Sequence, residues 1–86
     1  MATQDTSNRA RFRGALIIAY ADLFANDPEY AYSASRCTPE GLADKMIAGL
    51  ANGSANKDGK GIARACRSVG IKPTWKELRS FLHEKG

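Results

Sequence analysis

Five residues near the C-terminus, Gly70-Ile71-Lys72-Pro73-Thr74, leave the chain on either side few choices. Glycine takes the left-handed backbone that ends a helix at no steric cost. Proline biases the residue before it away from helical geometry. One helix must therefore stop at Gly70 and another begin after Pro73. Thr74-Trp75-Lys76-Glu77 fits a capping box, in which the threonine hydroxyl reaches the Glu77 amide and the Glu77 carboxylate reaches back.

The helix before the corner has a start as well, with Asp58 placed to accept from the orphan amides of the first turn. At 100° per residue Ile62, Ala65, Cys66 and Val69 share one side, while Lys60, Arg64 and Arg67 cluster within roughly 60° on the other. After the corner, Trp75, Leu78 and Leu82 form an inner stripe with Phe81 at its edge. Lys76, Arg79 and His83 lie along its flank, and Ser80 and Glu84 face away. Helix, tight corner and capped helix is the arrangement of a helix-turn-helix, whose second helix lies in a DNA major groove. The corner is one residue shorter than the usual turn. An ordinary helical hairpin with solvated Lys and Arg on its outer face fits the same pattern.

The rest of the chain reads as a scaffold for this pair. Residues 1–8 are small and polar and are expected to be a disordered tail, followed by a single helical domain over 9–86. Arg9 to Asn26 is a long helix with a stripe of Phe12, Leu16, Ala19, Tyr20 and Leu23. Ile17, Ile18 and Phe24 spread its apolar surface further round, which suits the centre of a core or a homodimer interface. Arg9, Arg11 and Arg13 oppose the macrodipole at its start, and solvation or a phosphate-gripping arm would compensate. Asn26-Asp27-Pro28 ends the helix. Glu29 to Cys37 has no clean period, and Tyr30 and Tyr32 there are placed to pack across the core or to stack on a partner. Thr38-Pro39-Glu40 opens another helix, with Leu42, Met46, Ile47 and Leu50 inside and Gly53 as its stop. Gly53 to Gly61 is a polar connector without the pattern of a nucleotide-binding loop. The expected fold is all-α, a small four-helix domain made of a long N-terminal helix, a second helix and the C-terminal pair.

Composition narrows the chemistry. Of 86 residues, 43% are hydrophobic and 26% charged, an ordinary globular balance. The formal charge of +4 permits binding to nucleic acid or to an acidic protein surface and requires neither. Two cysteines and one histidine, none at metal-ligand spacing, argue against a structural metal. No cofactor motif or catalytic constellation is present, so no enzyme activity is expected. The N-terminus lacks the apolar core of a signal peptide, the apolar run from Ala15 to Ala21 is too short to span a membrane, and the scarcity of cysteine fits a reducing cytoplasm.

Gly70-Ile71-Lys72-x-Thr74 through Phe81-Leu82, about a quarter of the chain, resembles the ends of small proteins encoded by bacteriophages and prophages, most of them without an assigned role. The resemblance implies an accessory product of a mobile element, at work in the cytoplasm of a bacterial host. It carries over no functional residue. Two functions remain open. In the first the chain is a DNA-binding regulator, with Lys76 and Arg79 facing base edges of double-stranded DNA and Lys60, Arg64, Arg67 and Lys72 on phosphates. In the second the same cations meet an acidic surface of a host protein, as in an inhibitor or adaptor. A structural or assembly component is a third possibility.

Overall fold

The computed structural model describes residues 7–56 and 58–83. Among them five α-helices follow in order, and no strand: α1 (Asn8–Asn26), a 3-10 turn (Pro28–Tyr30), α2 (Ala31–Arg36), α3 (Pro39–Asn52), α4 (Lys60–Val69) and α5 (Trp75–His83). The expected all-α domain is what forms, and its four expected helices are α1, α3, α4 and α5. The short α2 is an addition. It occupies the stretch in which the sequence has no period, because six residues are too few to show one.

Helix α1 holds the rest together: α3, α4, α5 and α2 all pack on it, and α4 and α5 are not among the principal packing pairs. Its stripe of Phe12, Leu16, Ala19, Tyr20 and Leu23 is buried, as its periodicity requires. Ile47 and Leu50 from α3, Ile62, Ala65 and Cys66 from α4, and Leu78, Phe81 and Leu82 from α5 complete the core. Each large aliphatic side chain so buried contributes about 1.5–3 kcal/mol. Burial also pushes the Cys66 thiol up to about 11. Helix α4 runs antiparallel to α1, since Lys60 meets Asp27, Arg64 meets Asp22, and Ser68 lies beside Ala15 and Ile18.

The helix ends follow the local chemistry with three departures. Gly53 (φ 81°) and Gly70 (φ 80°) both take the left-handed conformation. Beyond them the Ser54 amide donates to the Gly49 carbonyl at 2.8 Å and the Ile71 amide to the Cys66 carbonyl at 2.9 Å. Thr38 caps α3 by accepting from the Gly41 amide at 3.0 Å. The first departure is at the N-terminus. Residues 1–6 of the expected tail lie outside those described, but the Ser7 hydroxyl accepts from the Ala10 amide at 3.1 Å and Asn8 is buried in the first turn of α1. The second is that Gly59, not Asp58, stands at the cap of α4. The Asp58 amide donates to Asn56 Oδ1 at 3.0 Å, which places Asp58 in a turn one residue too early to cap the helix. The third is that the capping box of α5 is half made. Thr74 Oγ1 accepts from the Glu77 amide at 3.3 Å, whereas Glu77 Oε1 accepts from the amide of Lys72.

Two of the three arginines at the start of α1, Arg11 and Arg13, are compensated from within the chain. Arg13 donates to both carboxylate oxygens of Asp44, at 2.6 and 3.3 Å. Arg11 donates to Asn8 Oδ1 at 3.2 Å and lies 5.7 Å above the Phe81 ring, a cation–π contact.

Tyr20, Phe24 and Tyr30 form a three-ring cluster with centroids 6.1–6.3 Å apart, which fastens the 3-10 turn to α1. The Tyr20 ring also lies against the first turn of α4. A Cβ on Gly61 would stand 2.8 Å from Tyr20 Cζ and 2.9 Å from Cδ1. Gly61→Ala should therefore lower the urea midpoint, at a cost of about 1–3 kcal/mol for overpacking. Gly14→Ala, where a Cβ meets nothing within 4 Å, should raise it by up to about 1 kcal/mol through helix propensity.

Candidate nucleic-acid interface

The six cations that the sequence places on the outer faces of the C-terminal helices do not share one environment. Lys60, in the first turn of α4, lies 2.7 Å from Asp27 and 3.0 Å from Glu29. Arg64, one turn on, lies 2.5 Å from Asp22. These two pairs close α4 onto the C-terminal half of α1. The cations at the start of α4 oppose its macrodipole, and the carboxylates across the seam offset that cost. Lys60 and Arg64 thus have a structural task that their face of the helix wheel does not reveal. The signal was present in the sequence: Asp22 and Asp27 recur at nearly the spacing of Arg64 and Lys60, as antiparallel partners must.

The other four are differently placed. Arg67 lies in the last turn of α4, Lys72 in the corner, and Lys76 and Arg79 on α5. All four are exposed, and none has an ion-pair partner among the described residues. Arg67 suits the negative end of the α4 dipole. The Arg79 guanidinium reaches the end of α3, its Nη2 3.9 Å from where a Cβ on Gly53 would be. His83 continues the line of Lys76 and Arg79 along one flank of α5, the three spanning roughly 60°.

From Arg67 to His83 the only carboxylate is Glu77. It is half-buried, lies with Ile71, Ser80 and Phe81, and is turned back to the Lys72 amide. It sits on the side of α5 away from Lys76 and Arg79 by the helical arithmetic. The carboxylates Asp22, Asp27, Glu29 and Asp44 belong instead to α1, its C-terminal turn and α3. Among the described residues the corner and α5 therefore present positive charge with Glu77 as their one carboxylate, turned away from Lys76 and Arg79.

Arg9 and Lys45 are also exposed without an ion pair among the described residues, but they stand on other faces. Tyr32 is exposed too, with Arg36 stacked 5.0 Å above its ring. Among the described residues no three His, Cys, Asp or Glu side chains come together as metal ligands would, and both cysteines are free. No helix is long and apolar enough to cross a membrane.

The ion pairs set a pH window for stability. Arg64 holds the Asp22 carboxyl below the usual carboxylate value of 3.8, Lys60 does the same for Asp27, and Arg13 for Asp44. Carboxyls depressed in this way stabilise the fold above their unfolded pKa and lose that contribution as pH falls through the folded one. The Lys60 ammonium is raised above 10.5 by Asp27 and Glu29, so its contribution holds below that value and is lost as pH rises past it. The buried Cys66 thiol, raised from 9.0, gives way earlier in alkali, so the melting temperature should be level between about pH 5 and 8 and fall on either side. Asp22→Asn with Asp27→Asn should lower it at neutral pH, with the difference from wild type closing near pH 2 and in about 0.5 M salt. Equal differences at pH 7 and pH 2 would show that the pairs do not stabilise the fold.

No protein family, curated protein or solved structure matches this chain.

Proposed function

We propose that the chain binds double-stranded DNA through the corner after α4 and the basic flank of α5, in the manner of a small regulator. One observation carries this reading. Arg67, Lys72, Lys76 and Arg79 stand exposed without an ion-pair partner among the described residues, while Arg13, Lys60 and Arg64 are taken up in ion pairs. Uncompensated cations on one edge are what a phosphate backbone neutralises, and the released counterions drive association. Helix α5 has nine residues, roughly 13 Å of helix, and a helix diameter of about 10–12 Å fits a major groove about 12 Å wide. Lys76 and Arg79 then face base edges, while Arg67 and Lys72 hold phosphates on either side of the corner.

The support for α5 differs from that in a helix-turn-helix. There the two helices of the motif brace each other, whereas here α5 rests on α1 and α3. Lys60 and Arg64 leave the list of DNA contacts, because a phosphate would have to displace carboxylates already at 2.5–2.7 Å.

Fluorescence anisotropy with random duplex DNA at two salt concentrations tests the reading. On random duplex, where no base edge is matched, all four cations lie on phosphates, which gives a log–log slope near −3.6, or roughly 100-fold weaker binding for a fourfold rise in salt. Lys76→Ala with Arg79→Ala should weaken binding and reduce the slope by about 2, whereas Lys60→Ala should leave the slope nearly unchanged. No binding at low salt would overturn the proposal. An acidic protein surface would then be the partner chemistry to pursue with the same four cations.

A further inference from the structure

Helix α5 rests on α1 and α3, and its two flanks carry different chemistry. Arg79 and Phe81 stand about 160° apart around it, on opposite sides of the outward crest that holds Lys76 and His83. The Arg79 flank faces the end of α3, where the Arg79 Nη2 comes within 3.9 Å of the position a Cβ on Gly53 would take. The Phe81 flank has no cation among the described residues of α5, only the inward-turned Glu77 and the Phe81 ring itself.

A cation reaches that flank from α1. The Arg11 guanidinium lies 5.7 Å above the Phe81 ring, and the Phe12 ring next to it in the sequence packs on the same ring at 6.3 Å. Of the three arginines that open α1, Arg11 is the one turned to α5. Arg9 and Arg13 lie about 40° apart on the other side of the helix, with Arg11 about 160° from Arg13. There Arg13 pairs with Asp44, and both arginines border a cavity shared with Ile47 of α3.

Arg11 also differs from Arg13 in what holds it. Its two contacts, Asn8 Oδ1 at 3.2 Å and the Phe81 ring, are neutral groups. They fix the side chain and leave its charge in place. Arg11 is exposed and has no ion-pair partner among the described residues. The bond to Asn8 uses one of the five N–H donors of a guanidinium. A planar group already held against a ring loses little freedom on gaining a further partner.

Resting on the DNA reading above, we infer that Arg11 is a fifth phosphate contact, on the flank of α5 that Lys76 and Arg79 leave uncovered. A helix of about 10–12 Å diameter in a groove about 12 Å wide has a phosphate chain along each flank. Lys76 and Arg79 turn to the bases and Arg67 and Lys72 hold phosphates at the corner. The chain along the Phe81 flank is then met from α1.

Fluorescence anisotropy with random duplex DNA reads the contact directly. A fifth phosphate contact steepens the wild-type log–log slope from near −3.6 to near −4.5. Arg11→Met keeps an unbranched apolar chain over Phe81 and removes the charge. It should bind several-fold more weakly at low salt, with a slope shallower by about 0.9 and unchanged helix content by circular dichroism, as should Arg11→Gln. Arg11→Lys should recover the wild-type slope, and Arg9→Met, which removes a charge from the other side of α1, should leave it nearly unchanged. Binding that depends on Lys76 and Arg79 but keeps its slope in Arg11→Met would overturn the role of Arg11 and leave the DNA reading standing. Equal losses in Arg9→Met and Arg11→Met would overturn it too, because net charge alone would then account for both. A wild-type chain that does not bind at low salt would overturn both readings together.

Discussion

The ring of Tyr20 occupies the space where any residue but glycine at position 61 would carry its Cβ. Through that contact α4 comes close enough to α1 for Ile62, Ala65 and Cys66 to reach the stripe of Leu16 and Leu23. It also brings Lys60 and Arg64 within reach of Asp27 and Asp22. The same ring anchors Phe24 and Tyr30 on its other side, so a single aromatic residue sets the position of both segments that follow α1. Its phenol is held well above its ordinary value by burial and stays neutral, which suits a group that serves as packing.

That approach also decides which positive charges remain for a partner. Cations on one face of a helix look equivalent in a helical projection, but their environments depend on what lies across the seam. The first two turns of α4 face the acidic end of α1 and are neutralised there. The last turn of α4, the corner and α5 lie beyond that acidic end and, among the described residues, meet no carboxylate except the inward-turned Glu77. The charge asymmetry of the molecule is thus a by-product of an antiparallel helix pair in which one member carries its acids at one end only.

Local grammar in the sequence was enough for most of the fold. Gly53, Gly70, Thr38 and the Thr74 cap lie where their backbone preferences put them, and the buried stripe of α1 matches its 3.6-residue period residue for residue. The sequence was less legible where a second partner, near or far in the chain, competed for the same group. Asp58 gives up the cap of α4 to a turn with Asn56, Glu77 turns to the Lys72 amide instead of its own cap, and Arg13 finds Asp44 thirty-one residues away. The candidate site divides along the same line. Arg67, Lys72, Lys76 and Arg79 are exposed as their helix faces implied, but a helix wheel cannot show that Lys60 and Arg64 are occupied.

The central place of α1 has a consequence for how the chain comes to be folded. Because this helix is made first and nearly all its partners lie later in the sequence, Phe12, Leu16 and Leu23 leave the ribosome with nothing to cover them. At ~5–20 residues per second, several seconds pass before α4 has been synthesised, and α5 follows later still. Until then the nascent chain displays an apolar helix to its surroundings, the kind of surface that chaperones hold and that aggregates when crowded. The order of the helices along the chain therefore delays the burial of the α1 stripe until the later helices are made, although the finished domain covers it.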